Sequence, residues 1–130
     1  MKEGIKEGQK AFFECLVTPH MFAQFEGNLI HPAYSTATMV YHMEYTSRKL
    51  ILPYLDEDEE GMGASVNIRH LAPAAENNKI QFIAIISRLD KNIVYSEVEA
   101  RNEKGMIGTG TVVQIILPKK EIARRLEDSR

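Results

Sequence analysis

A single cysteine, Cys15, stands among 130 residues, so no disulfide within the chain can brace the fold. There is no CxxC pair and no cluster of histidines, which removes the usual signatures of a metal centre. No apolar run nears the roughly 20 residues that a bilayer-crossing helix needs. Excess charge of one sign is missing too. The net charge of -2 is too small to draw nucleic acid or an anionic membrane by a global field. The opening, Met1-Lys2-Glu3-Gly4, is charged and has no apolar core. These absences predict a cytoplasmic protein with no nucleic-acid or membrane partner and no metal or other cofactor. Cys15, within Phe13-Glu14-Cys15-Leu16-Val17, reads as a structural thiol on a strand.

What is present is globular. Apolar residues make up 44% and charged residues 26%, the balance of a folded domain with a real core. One domain over residues 1–130 is expected, with 119–130 as an exposed charged tail. Lys10 to Val17 is rich in aromatics and reads as a strand, ended by Thr18-Pro19. His20 to Tyr34, with Gly27, Asn28 and Pro32, reads as a long irregular connection, either a binding loop or a cap on the core. Ser35 or Thr36 then opens a helix, since either hydroxyl can take an orphan backbone N–H. Met39, Val40, Met43, Leu50, Ile51 and Tyr54 share one stripe of it, and Pro53 is a stop signal. Asp56 to Gly61 is an acidic loop.

Four strands follow: Met62 to Leu71, Lys79 to Leu89, Ile93 to Arg101 and Met106 to Leu117. The turns between them, at Pro73 to Asn78, Asp90 to Asn92 and Asn102 to Gly105, carry turn residues. Hairpin-length turns require an antiparallel sheet. One helix with one apolar stripe must bury that stripe on the sheet. The predicted class is therefore α+β, a long central helix wrapped by five antiparallel strands, which is the hot-dog arrangement.

Three polar residues interrupt the apolar pattern. By strict alternation His70 continues Met62, Ala64, Val66 and Ile68, so its ring is expected to face the helix. Glu44 lies one turn after Val40, on or beside the buried stripe, and Arg48 stands four residues on as a ready partner. Thr36 lies about two turns before Glu44. Taken singly, these are a core histidine, a helix ion pair and an N-cap. Taken together, a hydroxyl, a carboxylate and an imidazole near a helix N-terminus form a kit for acyl transfer. The helix N–H groups would suit a developing oxyanion. A carboxylate in an apolar setting is a better base near neutral pH.

The run Thr36-Ala37-Thr38-Met39-Val40-Tyr41-His42-Met43-Glu44 is similar to the Thr-x-x-Met-Val-x-x-Met-Glu of the fluoroacetyl-coenzyme A thioesterase-like family. So are Pro53-Tyr54-Leu55 with its acidic loop, Gly63 seven residues before His70, and Ile107-Gly108-Thr109-Gly110-Thr111. The chain resembles these hot-dog thioesterases from Met1 to Leu117. The resemblance implies hydrolysis of an acyl-CoA, short-chain by expectation, with Thr36, Glu44 and His70 as the catalytic set. It implies Gly63, Gln114, Ile30 and Tyr34 as contacts to substrate or coenzyme, CoA entering only as part of the substrate. It also implies a homodimer with back-to-back helices. Gln114 stands where the fluoroacetyl-specific branch has an arginine, and Ile30 where it has an aromatic gate. Both departures bear on fluoroacetate selectivity and leave the hydrolytic set intact. The rival class is a non-catalytic acyl-CoA or small-ligand binding protein on the same fold. A hot-dog hydratase would need an Asp/His context that is absent.

Overall fold

The structure is a computed structural model that describes residues 1–130. Its elements in chain order are β1 (Lys10–Leu16), β2 (Phe22–Phe25), β3 (Asn28–Tyr34), α1 (Thr36–Ile51), β4 (Glu59–His70), β5 (Lys79–Asp90), β6 (Ile93–Asn102), β7 (Gly105–Pro118) and α2 (Lys119–Asp128). Five strands form one antiparallel sheet in the order β1-β5-β6-β7-β4. The long central helix α1 lies on one face of that sheet. It buries Met39, His42, Met43, Thr46, Ser47, Leu50 and Ile51 against Ile80, Phe82, Ile86, Val94, Val98 and Val112. Each large apolar side chain so buried contributes on the order of 1.5–3 kcal/mol. The fold is the α+β hot-dog arrangement that the pattern of elements predicts.

Three local features depart from the sequence reading. His20 to Tyr34 is a second, two-stranded sheet made by β2 and β3, preceded by a short 3-10 turn at Pro19–Met21. Its strand pairing is irregular, with register shifts around Ala23, and Pro32 and turn residues interrupt any alternation. The acidic stretch is loop only in part, because Glu59 and Glu60 already belong to β4.

The third departure bears on the site. Pairing of β4 with β7 skips Ala64: Gly63 faces Gln114, and Ser65 faces Val113. A bulge puts one extra residue into the strand, so alternation changes phase there. Val66, Ile68 and His70 share the helix-facing side, as expected from the pattern. Met62 and Ala64 do not; Gly61 and Gly63 take the inner positions instead, opposite the buried Ile116 and Gln114. A Cβ on Gly61 would collide with the side chain of Ile51, and one on Gly63 with the Glu44 carboxylate. Only residues without side chains let α1 lie this close to the sheet.

The charged end of the chain is an exposed helix, α2, laced by Arg124–Glu121, Arg124–Asp128 and Arg125–Glu121 ion pairs. Cys15 is a half-buried free thiol whose pKa burial pushes up to about 11, consistent with a structural role.

Candidate active site

Ser35, not Thr36, caps α1. Its side chain accepts a hydrogen bond from the Thr38 N–H at 3.0 Å. This releases the Thr36 side chain from capping. Thr36 Oγ1 instead lies 2.9 Å from His70 Nδ1. The first N–H groups of a helix have no intrahelical acceptor, so this end of α1 offers donors and a positive dipole. Thr36 and His70 line a cavity of about 380 Å³ together with Tyr34, His31 and Leu71. The other ring nitrogen, His70 Nε2, is buried and has no hydrogen-bond partner. A buried polar atom without a partner costs about 1–3 kcal/mol, so this one marks a place where a further group belongs.

Glu44 stands apart. It is exposed, and no hydrogen bond or ion pair ties it to Thr36 or His70. Met43 takes the core-facing place on this turn of α1, which turns its successor outward. The Glu44 carboxylate lies over Gly63 and lines a separate recess of about 200 Å³ with Tyr41, Tyr45, Arg48 and Gln114. The expected helix pair with Arg48 does not form. Arg48 makes a bidentate bond to Glu60 at 2.7 and 3.1 Å, and that bond lowers the Glu60 pKa. Gln114 is buried beside Glu44, and its Nε2 likewise lacks a partner. Within one chain, then, Thr36, His70 and Tyr34 come together at the start of α1. Glu44, Gly63 and Gln114 come together about two turns along it. Ile30 is exposed on β3 and lines neither recess.

Sequence reasoning passed over His42. It is buried on α1, with Nδ1 2.6 Å from the Tyr34 hydroxyl. The signal was present: His42 lies three residues after Met39 and so on the same stripe. A larger cavity of about 610 Å³ lies beside β1 and β5, lined by Phe12, Glu14, Lys49 and Gln81 among others; it shares no lining residue with either recess. No three of the His, Cys, Asp and Glu side chains gather so as to hold a metal ion. No helix is long and apolar enough to cross a membrane.

The model of a fluoroacetyl-CoA-specific thioesterase family matches residues 17–120. The chain belongs to this family. It is thus a thioesterase, an enzyme that hydrolyses thioesters. Relatives agree at several distances. A Thermus thermophilus protein described as a thioesterase superfamily member is 45% identical, covering 98% of this chain and 96% of its own, with a TM-score of 0.91. The fluoroacetyl-CoA thioesterase of Streptantibioticus cattleyicolor is 24% identical over 85% of this chain and 84% of its own. A hot-dog-like protein from Thermanaerovibrio acidaminovorans, at 18% identity, covers 95% of this chain and 91% of its own with a TM-score of 0.88. That last likeness speaks for the hot-dog fold alone.

Proposed function

We propose that this family member hydrolyses a short-chain acyl-CoA, with Thr36, His70 and Glu44 as its catalytic groups. The observation that carries the reading is the 2.9 Å contact of Thr36 Oγ1 with His70 Nδ1 at the helix N-terminus. A hydroxyl bonded to an imidazole beside free backbone donors is an activated nucleophile with an oxyanion site. The thioester oxygen rests on the first N–H groups of α1. Thr36 Oγ1 attacks the carbonyl carbon as its proton passes to His70. The C–S bond then breaks and the CoA thiolate takes that proton. Water, deprotonated by His70, attacks the acyl-threonine carbonyl; the ester C–O bond breaks, His70 returns the proton to Thr36 Oγ1, and the acid is released. Coenzyme A enters as part of the substrate, and the reaction needs no cofactor.

The carboxylate completes the set across a dimer. In support, β4 is an edge strand, and a long open edge invites pairing with another chain. Were β4 to pair with itself about a two-fold axis at Asn67, the bulge at Ala64 counted, Gly63 of one copy would stand opposite His70 of the other. Glu44 lies over Gly63, so the second copy's carboxylate would reach the unpartnered His70 Nε2. A carboxylate there fixes the tautomer that leaves Nδ1 free to accept from Thr36, and it stabilises the imidazolium. The recess of Glu44 and Gln114 then adjoins the thioester as the acyl end. Residues 1–130 act as a single domain, and a lone free thiol suits the cytoplasm.

The test is thiol release from a panel of acyl-CoAs by wild type, T36A, E44Q and H70A. The expected result is fastest turnover of short acyl groups, with kcat reduced on the order of 100-fold or more in each variant at near-native thermal stability. Wild-type turnover in both E44Q and H70A ends the proposal. Tight binding with no thiol release points to a binding protein.

A further inference from the structure

His42 is buried on the core face of α1 and lines neither recess of the site. Its Nδ1 lies 2.6 Å from the Tyr34 hydroxyl, and the two rings stack 13° from parallel. Phe13, Phe82 and Tyr41 enclose the imidazole at ring-centroid distances of 5.1, 5.7 and 5.5 Å. Burial lowers the His42 pKa and raises that of Tyr34. The imidazole is therefore neutral and the phenol protonated; in the tautomer that carries its proton on Nε2, the phenol donates and Nδ1 accepts. Tyr34 in turn meets the His70 ring edge to face, at 75° and 6.3 Å. Its backbone is already fixed by the bond from its N–H to the Ala74 carbonyl. What remains to be set is the pose of its side chain, and the one hydrogen bond of its hydroxyl does that.

His70 needs such a wall. The second side-chain torsion of histidine lies in a broad well, and only one ring orientation keeps Nδ1 on Thr36 while aiming Nε2 at the unpartnered position. We propose that His42 is a positioning residue for hydrolysis: by holding the Tyr34 hydroxyl, it fixes the ring against which the His70 imidazole rests. The inference rests on the assignment of Thr36 and His70 above. Cys15 Sγ, 3.9 Å from the same nitrogen, is the weaker donor and does not set the pose.

The experiment is steady-state thiol release, with thermal midpoints, for Y34F, H42L, H42N, the double variant Y34F/H42L and C15A. The substrate is the acyl-CoA that the wild type turns over fastest. Y34F and H42L are each expected to lose kcat on the order of tenfold, with KM within about twofold of wild type. The double variant should be no worse than either single one, because both remove the same bond. H42N, whose side-chain oxygen can accept in place of Nδ1, should recover most of the loss, and C15A should match wild type. Y34F removes a single oxygen, so it decides the matter even where H42L fails to fold. Wild-type kcat in Y34F and H42L, alongside loss in T36A and H70A, overturns the positioning role alone. Additive losses, a loss confined to KM, or a C15A defect equal to that of Y34F overturn it too. Full activity in T36A and H70A brings down the catalytic assignment and this inference together.

Discussion

Four glycines lie under α1 along the β4–β7 side of the sheet: Gly61 beneath Ile51, Gly63 beneath Glu44, Gly108 beneath Met39 and Gly110 beneath Met43. Their replacement by alanine should sort by what each methyl would strike. At Gly110 it would meet Met43 Sδ at 2.7 Å, Ile68 Cγ2 at 2.9 Å and the Asn67 carbonyl at 3.1 Å. Backbone on one side and core on the other leave no room to yield. G110A should therefore lose about 1–3 kcal/mol of stability, read by denaturant unfolding. At Gly63 the methyl would strike the free end of an exposed, unpaired carboxylate, which can swing away. G63A should keep its unfolding midpoint yet lose kcat on the order of tenfold, since catalytic groups act only when closely placed. Equal loss of stability in the two variants would deny Gly63 any part in seating Glu44.

Among the elements, α1 carries most of the chemistry, and its first turn sets the division of labour. Ser35 caps the helix through Thr38 N, and its hydroxyl also donates to Thr38 Oγ1 at 2.8 Å. S35A should cost about 1 kcal/mol, a fall of roughly 3–5 °C in Tm. It should also slow hydrolysis, because Thr36 is then free to cap and drawn off His70. A Tm loss with kcat unchanged would separate capping from catalysis. The same helix shows where the sequence could be read and where it could not. Its start, its stop near Pro53 and the Met39, Met43, Leu50 and Ile51 part of its apolar stripe follow from local spacing, as do the four later strands, whereas Val40 is only half-buried and Tyr54 lies in a 3-10 turn after the helix. His70 was legible as an inward residue because Val66 and Ile68 keep phase with it. Glu44 was not legible as exposed, since one position on a helix separates core from rim. Nor was the choice by Arg48 of Glu60 over Glu44, which depends on a strand twelve residues away that only the fold brings near. The β2–β3 hairpin hid behind Pro32 and an irregular register.

At the scale of the molecule, the open edge of β4 and the two half-furnished recesses belong to one question. If the carboxylate comes from a second copy, two dead variants should cure each other. H70A mixed with E44Q under conditions that exchange subunits yields mixed dimers, in which one site regains both His70 and Glu44. Activity should return to about a quarter of wild type after random exchange. If each site is built within one chain, every site in the mixture carries a lesion and thiol release stays at the level of the separate variants. Dilution adds a second reading: activity per chain should fall as the dimer dissociates.

The skipped pairing at Ala64 has a consequence for how this strand tolerates change. Downstream of it, odd and even positions have exchanged addresses, so Gly63 and His70 face the same way although an odd interval separates them. Removing that one supernumerary residue would leave every other amino acid chemically intact and turn residues 59–63 of the strand over. Met62 would then press into the helix, and Gly61 and Gly63 would look out at water. The working surface of β4 depends on a count as much as on a composition.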